Sequence, residues 1–158
     1  MSLIIRAITP TDHPLMADFL YHAVFQPPGA EVIPRAVVEE PEVSIYIDGF
    51  DPARPGDLGA VAELDGKPIG MAWTRIIPAY GHIDQETPEL AISVLPEHRG
   101  QGIGAMLMER LFDLLRAAGY PQTSLAVQKE NPACRFYQRL GYEIVQDKDE
   151  EWLMVKKL

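Results

Sequence analysis

The sequence holds a single cysteine, Cys134, among 158 residues. That rules out an intramolecular disulfide and a cysteine-built metal cage, and it fits a reducing compartment. Alone in an apolar-periodic stretch, Cys134 reads as a buried helix residue rather than a reactive thiol. Cationic side chains are also scarce, with 14 Lys and Arg against 23 Asp and Glu and a formal net charge of −9. Such a surface repels polyanions and disfavours nonspecific nucleic-acid binding. It suits a cationic substrate, although acidity is also an ordinary route to solubility. No window approaches the roughly 18 to 20 apolar residues of a membrane span, and Met1 to Arg6 lacks the basic stretch and apolar run of a signal peptide. The expectation is a soluble cytoplasmic protein with no membrane partner. Repeats and low-complexity segments are absent as well, so 158 residues with 47% hydrophobic content predict a single domain over 1–158 around one core.

What is present is an alternation of elements. Leu3 to Ile8 reads as a strand, and Thr9-Pro-Thr-Asp12 offers capping oxygens before a helical stretch from His13 to Phe25. Gln26 to Pro55 carries six of the 14 prolines; Pro34 and Pro41 are each placed to open a short helix, and Ser44 to Phe50 fits either helix or strand. Leu58 to Leu64 and Pro68 to Ile77 flank Asp65-Gly66, residue types that accept the positive φ of a tight hairpin turn. Glu89 to Leu95 is a further strand. After it, Ile103, Leu107, Leu111, Leu114, Leu115 and Ala118 recur at helical spacing up to a terminating Gly119. Thr123 to Val127 reads as a strand, Asn131-Pro132 as a helix start, and Gly141 as that helix's end. Tyr142 to Gln146 and Glu151 to Val155 read as two last strands around the polar turn Asp147 to Glu150. With Ser44 to Phe50 taken as a strand, the order is βααββββαβαββ.

The stretch Glu89-Leu-Ala-Ile-Ser-Val-Leu-Pro-Glu-His-Arg-Gly-Gln-Gly-Ile-Gly104 runs from strand through glycine-rich turn to helix start. The first turn of a helix leaves about four N–H groups without acceptors, and the helix dipole adds roughly half a positive charge there. Glycines at 100, 102 and 104 remove side chains that would hold an anion away from those donors. A pyrophosphate can therefore bind in a protein that is acidic overall, with Arg99 as a local cation. Tight packing alone is the competing explanation for such glycines. A Walker A loop is excluded by the absence of Gly-Lys-Ser/Thr, and a dinucleotide fingerprint by the Gly-x-Gly-x-Gly spacing late in the chain.

Arg99-Gly-Gln-Gly102-Ile-Gly104 resembles the R/Q-x-x-G-x-G/A acyl-CoA pyrophosphate motif of the GNAT acetyltransferases. A second segment, Asn131-Pro-Ala-Cys-Arg-Phe-Tyr137-Gln-Arg-Leu-Gly-Tyr142, resembles that family's later helix, and the likeness extends over roughly Leu58 to Leu158. The resemblance implies an α/β single-domain GNAT fold, with a mixed central sheet of about six to seven strands splayed in the middle and helices flanking it. It also implies an N-acetyltransferase that uses acetyl-CoA as co-substrate and no metal.

Carried over residue by residue, the resemblance places pantetheine along Ile92, Ser93 and Val94, and the pyrophosphate on Arg99, Gly100, Gln101, Gly102, Ile103, Gly104 and Ala105. Asn131 contacts the CoA arm, unless it is only a helix cap. Tyr137 protonates the departing thiolate, unless it is only a core tyrosine. Direct attack by a neutral primary amine is implied, with an N–H near Ile92 stabilising the developing oxyanion and Glu89 as base through water. Strand alternation, however, puts Glu89 with Ala91 and Ser93, opposite Leu90, Ile92 and Val94. Glu86, His82, Tyr80 and Tyr46 are reserve bases, and Ala79 to Asp84 forms an acceptor wall together with the Pro-rich segment. The expected acceptor is a small-molecule amine. A protein N-terminus or lysine, or a catalytically weak acyl-CoA-binding module, is the alternative, and a homodimer through the last strands is left open.

Overall fold

Apolar alternation and a tight turn build the first half of the sheet. The computed structural model describes residues 2–158. Its strands are β1 (Leu3–Ala7), β2 (Leu58–Leu64), β3 (Lys67–Arg75), β4 (Glu89–Val94), β5 (Gln122–Gln128), β6 (Glu143–Lys148) and β7 (Glu151–Lys157). Between β2 and β3 the turn residues Asp65 and Gly66 take φ of 50° and 84°, the conformation that closes a two-residue hairpin in step with strand twist. The seven strands form one sheet in the order β1-β2-β3-β4-β5-β7-β6. Every neighbouring pair is antiparallel except β4 and β5, which run parallel and are joined only at Glu89 and Ser124. The mixed, centrally splayed sheet expected from the resemblance is therefore present.

The helices are α1 (Met16–Ala23), α2 (Pro41–Ser44), α3 (Ile103–Ala117) and α4 (Ala133–Arg139). On one face, Ile103, Leu107, Met108, Leu111, Phe112 and Leu115 of α3 bury themselves against Ala60, Ala62, Ile69 and Ala72. Small side chains on β2 and β3 let the helix come close: a Cβ on Gly70 would lie 3.0 Å from Leu107 Cδ1. On the other face, Met16, Phe19 and Leu20 of α1 pack on Val61, Met71 and Trp73. The period-two pattern of β2 and β3 thus feeds two cores from adjacent residues, each fully buried large side chain contributing about 1.5 to 3 kcal/mol. No helix among the described residues is long and apolar enough to cross a membrane.

Two local readings change. The helix expected from His13 to Phe25 begins as a 3-10 segment at Pro10–Leu15 and becomes α-helical only at Met16, because Pro14 has no N–H to enter an α-helical ladder. Asp12 anchors that start, accepting from Thr9 N at 2.7 Å and from Arg6 at 2.8 Å. Ser44 to Phe50 is not a strand: Pro41 opens α2, the chain continues in turns, and Gly49 at φ 69° ends them. The carbonyls there are taken by side chains instead of a ladder. Trp73 Nε1 donates to Tyr46 O at 2.9 Å, and the Arg75 guanidinium donates to Ile45 O at 2.9 Å and Asp48 O at 2.7 Å. Arg75 is itself buried and paired with Asp57 at 3.1 Å, a kind of contact whose loss typically costs about 3 to 5 kcal/mol.

Candidate active site

Where β4 and β5 part after Glu89, the facing backbone of both strands opens into a cleft of about 750 Å³. Leu90, Ala91 and Ile92 form one side and Leu125 to Gln128 the other, with Asn131 and Tyr137 at the end nearer α4. The end of α1 contributes Ala23, Val24 and Phe25; the segment around α2 contributes Val37, Glu40, Val43 and Tyr46. This volume lies in the range of small-molecule sites.

Beyond the end of β4, Gly100 and Gly102 adopt φ of 75° and 81°, and a Cβ at either would meet no atom within 4 Å. Gly102 caps α3 with no side chain supplying an acceptor. The amides of Ile103, Gly104 and Ala105 have no partner among the described residues, the first helical bond of α3 being Met106 N to Gly102 O. Open glycines beside unpaired amides at a helix mouth make a cradle that fits a diphosphate. Gly104 serves packing instead, since its Cβ would stand 3.4 Å from Phe136 of α4. Arg99 is exposed; its Nε donates to Val94 O at 2.9 Å and its Nη2 to His22 O at 3.5 Å, tying the turn to β4 and α1. Gln101 is exposed on the same turn.

The residues proposed for pantetheine divide. Ile92 lines the cleft, whereas the Ser93 hydroxyl is buried and donates to Phe19 O at 2.6 Å, and Val94 packs toward α3. Asn131 stands just before Pro132, the N-cap of α4; its Oδ1 accepts from Ala133 N at 2.9 Å, the first amide of that helix, and it also lines the cleft. The Tyr137 ring packs between Phe136 and Tyr142, at centroid distances of 5.5 and 5.8 Å, while its hydroxyl has no hydrogen-bond partner among the described residues. Burial pushes that phenol up to about 12, so it stays protonated at neutral pH. Cys134 is half-buried, its thiol pointing to Gln128 O at 3.4 Å and raised by burial, which leaves it a structural thiol.

Glu89 keeps the phase that alternation predicts. It is buried at 2% exposure and absent from the cleft wall. Its Oε2 accepts from the Tyr46 hydroxyl and, at 2.8 Å, from Gly81 N, while Oε1 has no partner. Burial raises the carboxyl above the ordinary carboxylate range, and the bonds from Tyr46 and Gly81 offset only part of that rise. Gly81 is required at this point: a Cβ would lie 2.9 Å from Ala126 N and 3.0 Å from the Glu89 side chain, and its carbonyl accepts from Ser124 Oγ at 2.6 Å. Of the reserve bases, Tyr46 and Tyr80 line the cleft; His82 is turned to Ile77 O at 2.9 Å, and Glu86 is exposed on the Asp84 turn.

A further group went unread in the sequence. The turn joining β6 to β7 brings Lys148, Asp149, Glu150 and Glu151 to the cleft, where they meet Glu40 and Tyr80. Lys148 spends its ammonium on Tyr80 O at 2.8 Å, so the mouth is acidic on balance. The concentration of acids from Asp147 to Glu151 was a visible signal, but nothing local tells a solvated turn from one folded over a cleft.

The family model for the acetyltransferase (GNAT) family matches residues 22–142. A mycothiol acetyltransferase of Pseudarthrobacter chlorophenolicus is 33% identical over 96 residues, which are 60% of this chain and 29% of that protein. The chain therefore spans less than a third of the length of this curated relative. The PaiA N-acetyltransferase of Thermoplasma acidophilum, solved in complex with coenzyme A, superposes with a TM-score of 0.71 at 19% identity, covering 100% of both chains. An acetyltransferase from Brucella melitensis in complex with acetyl-CoA superposes at 0.67 with 23% identity, over 99% of this chain and 88% of that one. At these identities the two structures speak for the fold.

Proposed function

The chain belongs to the GNAT acetyltransferase family, and from that premise we infer that it acts as one N-acetyltransferase domain, moving an acetyl group from acetyl-CoA to the primary amine of a small molecule by direct attack. The observation that carries this reading is the unpartnered Tyr137 phenol on the wall of a cleft that begins where β4 and β5 part. The amides of Gly100 to Ala105, with Arg99 and Gln101 on the same turn, would hold the diphosphate. The opened backbone at Ile92 to Val94 and the Asn131 side chain would hold the pantetheine arm. Acetyl-CoA supplies the activated acetyl group. Toward it, an N–H near Ile92 stabilises negative charge on the carbonyl oxygen, Tyr137 protonates the sulfur as it leaves, and Glu89 accepts the proton that the attacking nitrogen must lose.

The acidic mouth favours a cationic acceptor, because Glu40, Asp149, Glu150 and Glu151 outnumber the single Lys148 already bound to Tyr80 O. Loops on several sides of a cleft of this volume suit a small amine. The likeness to enzymes named mycothiol acetyltransferase agrees with a small-molecule acceptor. The test is release of CoA thiol from acetyl-CoA with spermidine, free lysine, kanamycin and an alanyl peptide. Turnover with one of the small amines is expected. Turnover with the peptide alone would move the acceptor to a protein N-terminus or lysine, and CoA binding without any turnover would identify an acyl-CoA-binding module.

A further inference from the structure

Glu89 cannot act on an acceptor directly, because its carboxyl lies behind the cleft wall and the phenol of Tyr46 stands between. Resting on the acetyltransferase reading above, we propose that Tyr46 is the group that meets the acceptor ammonium and relays its proton to Glu89. Tyr46 lines the cleft and gives its phenolic hydrogen to Glu89 Oε2; with the main chain of Tyr80 also against it, the phenol oxygen keeps one further lone pair as a proton acceptor. As the N–H bond of the ammonium breaks, its proton passes to the Tyr46 oxygen and the phenolic proton passes to Oε2. A neutral amine, a neutral tyrosine and a neutral carboxylic acid result. Forming the amide frees a second N–H proton, which makes good the one Tyr137 gives to sulfur; after the product leaves, the proton on Glu89 returns to water along the same path.

The surroundings are built for this transfer. Trp73 and Arg75 hold the carbonyls of residues 45, 46 and 48, which fixes where the Tyr46 ring stands. Arg75 is also directly opposite Glu89 in the β3–β4 register, yet its guanidinium is used on Asp57 and on those carbonyls. Glu89 is thereby left without an ion-pair partner, and burial keeps its affinity for a proton above that of an ordinary carboxylate. The hydrogen bonds from Tyr46 and Gly81, and then the nearby His82 and Lys148, offset part of this. On the Tyr46 side, burial above all, then Glu89 and to a lesser degree Glu151, hold the phenol protonated, and Tyr80 beyond it faces Glu40, Glu42 and Glu151. Tyr46 therefore passes a proton without ionising itself, and Glu89 is the final acceptor.

Two variants test the relay. Tyr46→Phe keeps the ring and the main-chain carbonyl that Trp73 holds, and Glu89→Gln removes the acceptor. With an amine that the wild type turns over, each is expected to lower kcat/KM at pH 7 by about 10²-fold or more. The deficit should shrink as pH rises toward the amine's own pKa, where the nucleophile is already neutral. A loss equal at every pH would mean a structural role and overturn the relay alone. Absence of turnover by the wild type with every amine and the peptide would instead overturn the acetyltransferase reading and the relay with it. A second measurement needs no substrate: in protein carrying carboxyl-¹³C glutamate, the resonance missing from Glu89→Gln reports Glu89. Its titration should move to higher pH in Tyr46→Phe, since a hydrogen bond to the charged form is lost. An unmoved titration overturns the proposal.

Discussion

Tyr137→Phe is expected to slow acetyl transfer by about 10²- to 10⁴-fold and to leave acetyl-CoA affinity essentially unchanged. The ring is held by packing against Phe136 and Tyr142, and phenylalanine preserves that packing. The hydroxyl contributes nothing to the fold, since it bonds to no described residue, so its removal leaves no buried group stranded. What the variant loses is a donor that remains protonated because burial holds the phenol up to about 12. A donor of that kind matters when negative charge collects on sulfur, and little before, so the loss belongs in kcat. Steady-state thiol release together with calorimetric titration separates the two quantities. A variant that binds acetyl-CoA more weakly but turns over normally would make Tyr137 a binding residue and remove it from the chemistry.

The second large effect is expected at the glycine turn. Gly102→Leu should reduce CoA affinity by at least about 100-fold while the domain remains folded. The backbone at 102 has φ of 81°, which costs an L-residue roughly 1 to 2 kcal/mol, too little to unfold a domain of ordinary stability. No protein atom lies within 4 Å of the new Cβ, so the side chain has room, and that room is in front of the unpaired amides of α3. Gly119 provides the control. It ends the same helix with φ of 87° and equally open surroundings, so Gly119→Leu carries similar strain without obstructing the amides. Calorimetry should show CoA binding lost in the first variant and retained in the second, with urea midpoints lowered alike. Equal affinity in both would remove the diphosphate from the mouth of α3.

How far the sequence could be read depended on whether the decisive contacts were local. The β2–β3 hairpin, α3 and the glycine turn were legible because period, turn residues and helix signals lie within a few positions of one another. Residues 26 to 57 were opaque for the opposite reason. Their turns satisfy their backbone through Trp73 and Arg75, which come from β3. Glu89 shows both sides of this. Its phase followed from alternation, but the residue that links it to the cleft, Tyr46, lies 43 positions earlier in the chain, and no local pattern joins the two. Asn131 was read as either a cap or a CoA contact; Pro132 takes the cap position, while the Asn131 side chain holds the first amide of α4 and the residue still lines the cleft. The acidic turn between β6 and β7 looked like solvated surface until the sheet order placed it beside α2.

A crystal structure of this protein grown with coenzyme A tests the account most directly. The diphosphate should accept hydrogen bonds from the main-chain amides between Gly100 and Ala105, and the sulfur should lie within hydrogen-bond reach of the Tyr137 hydroxyl, between β4 and β5. Coenzyme bound elsewhere, or a sulfur remote from that phenol, would contradict it.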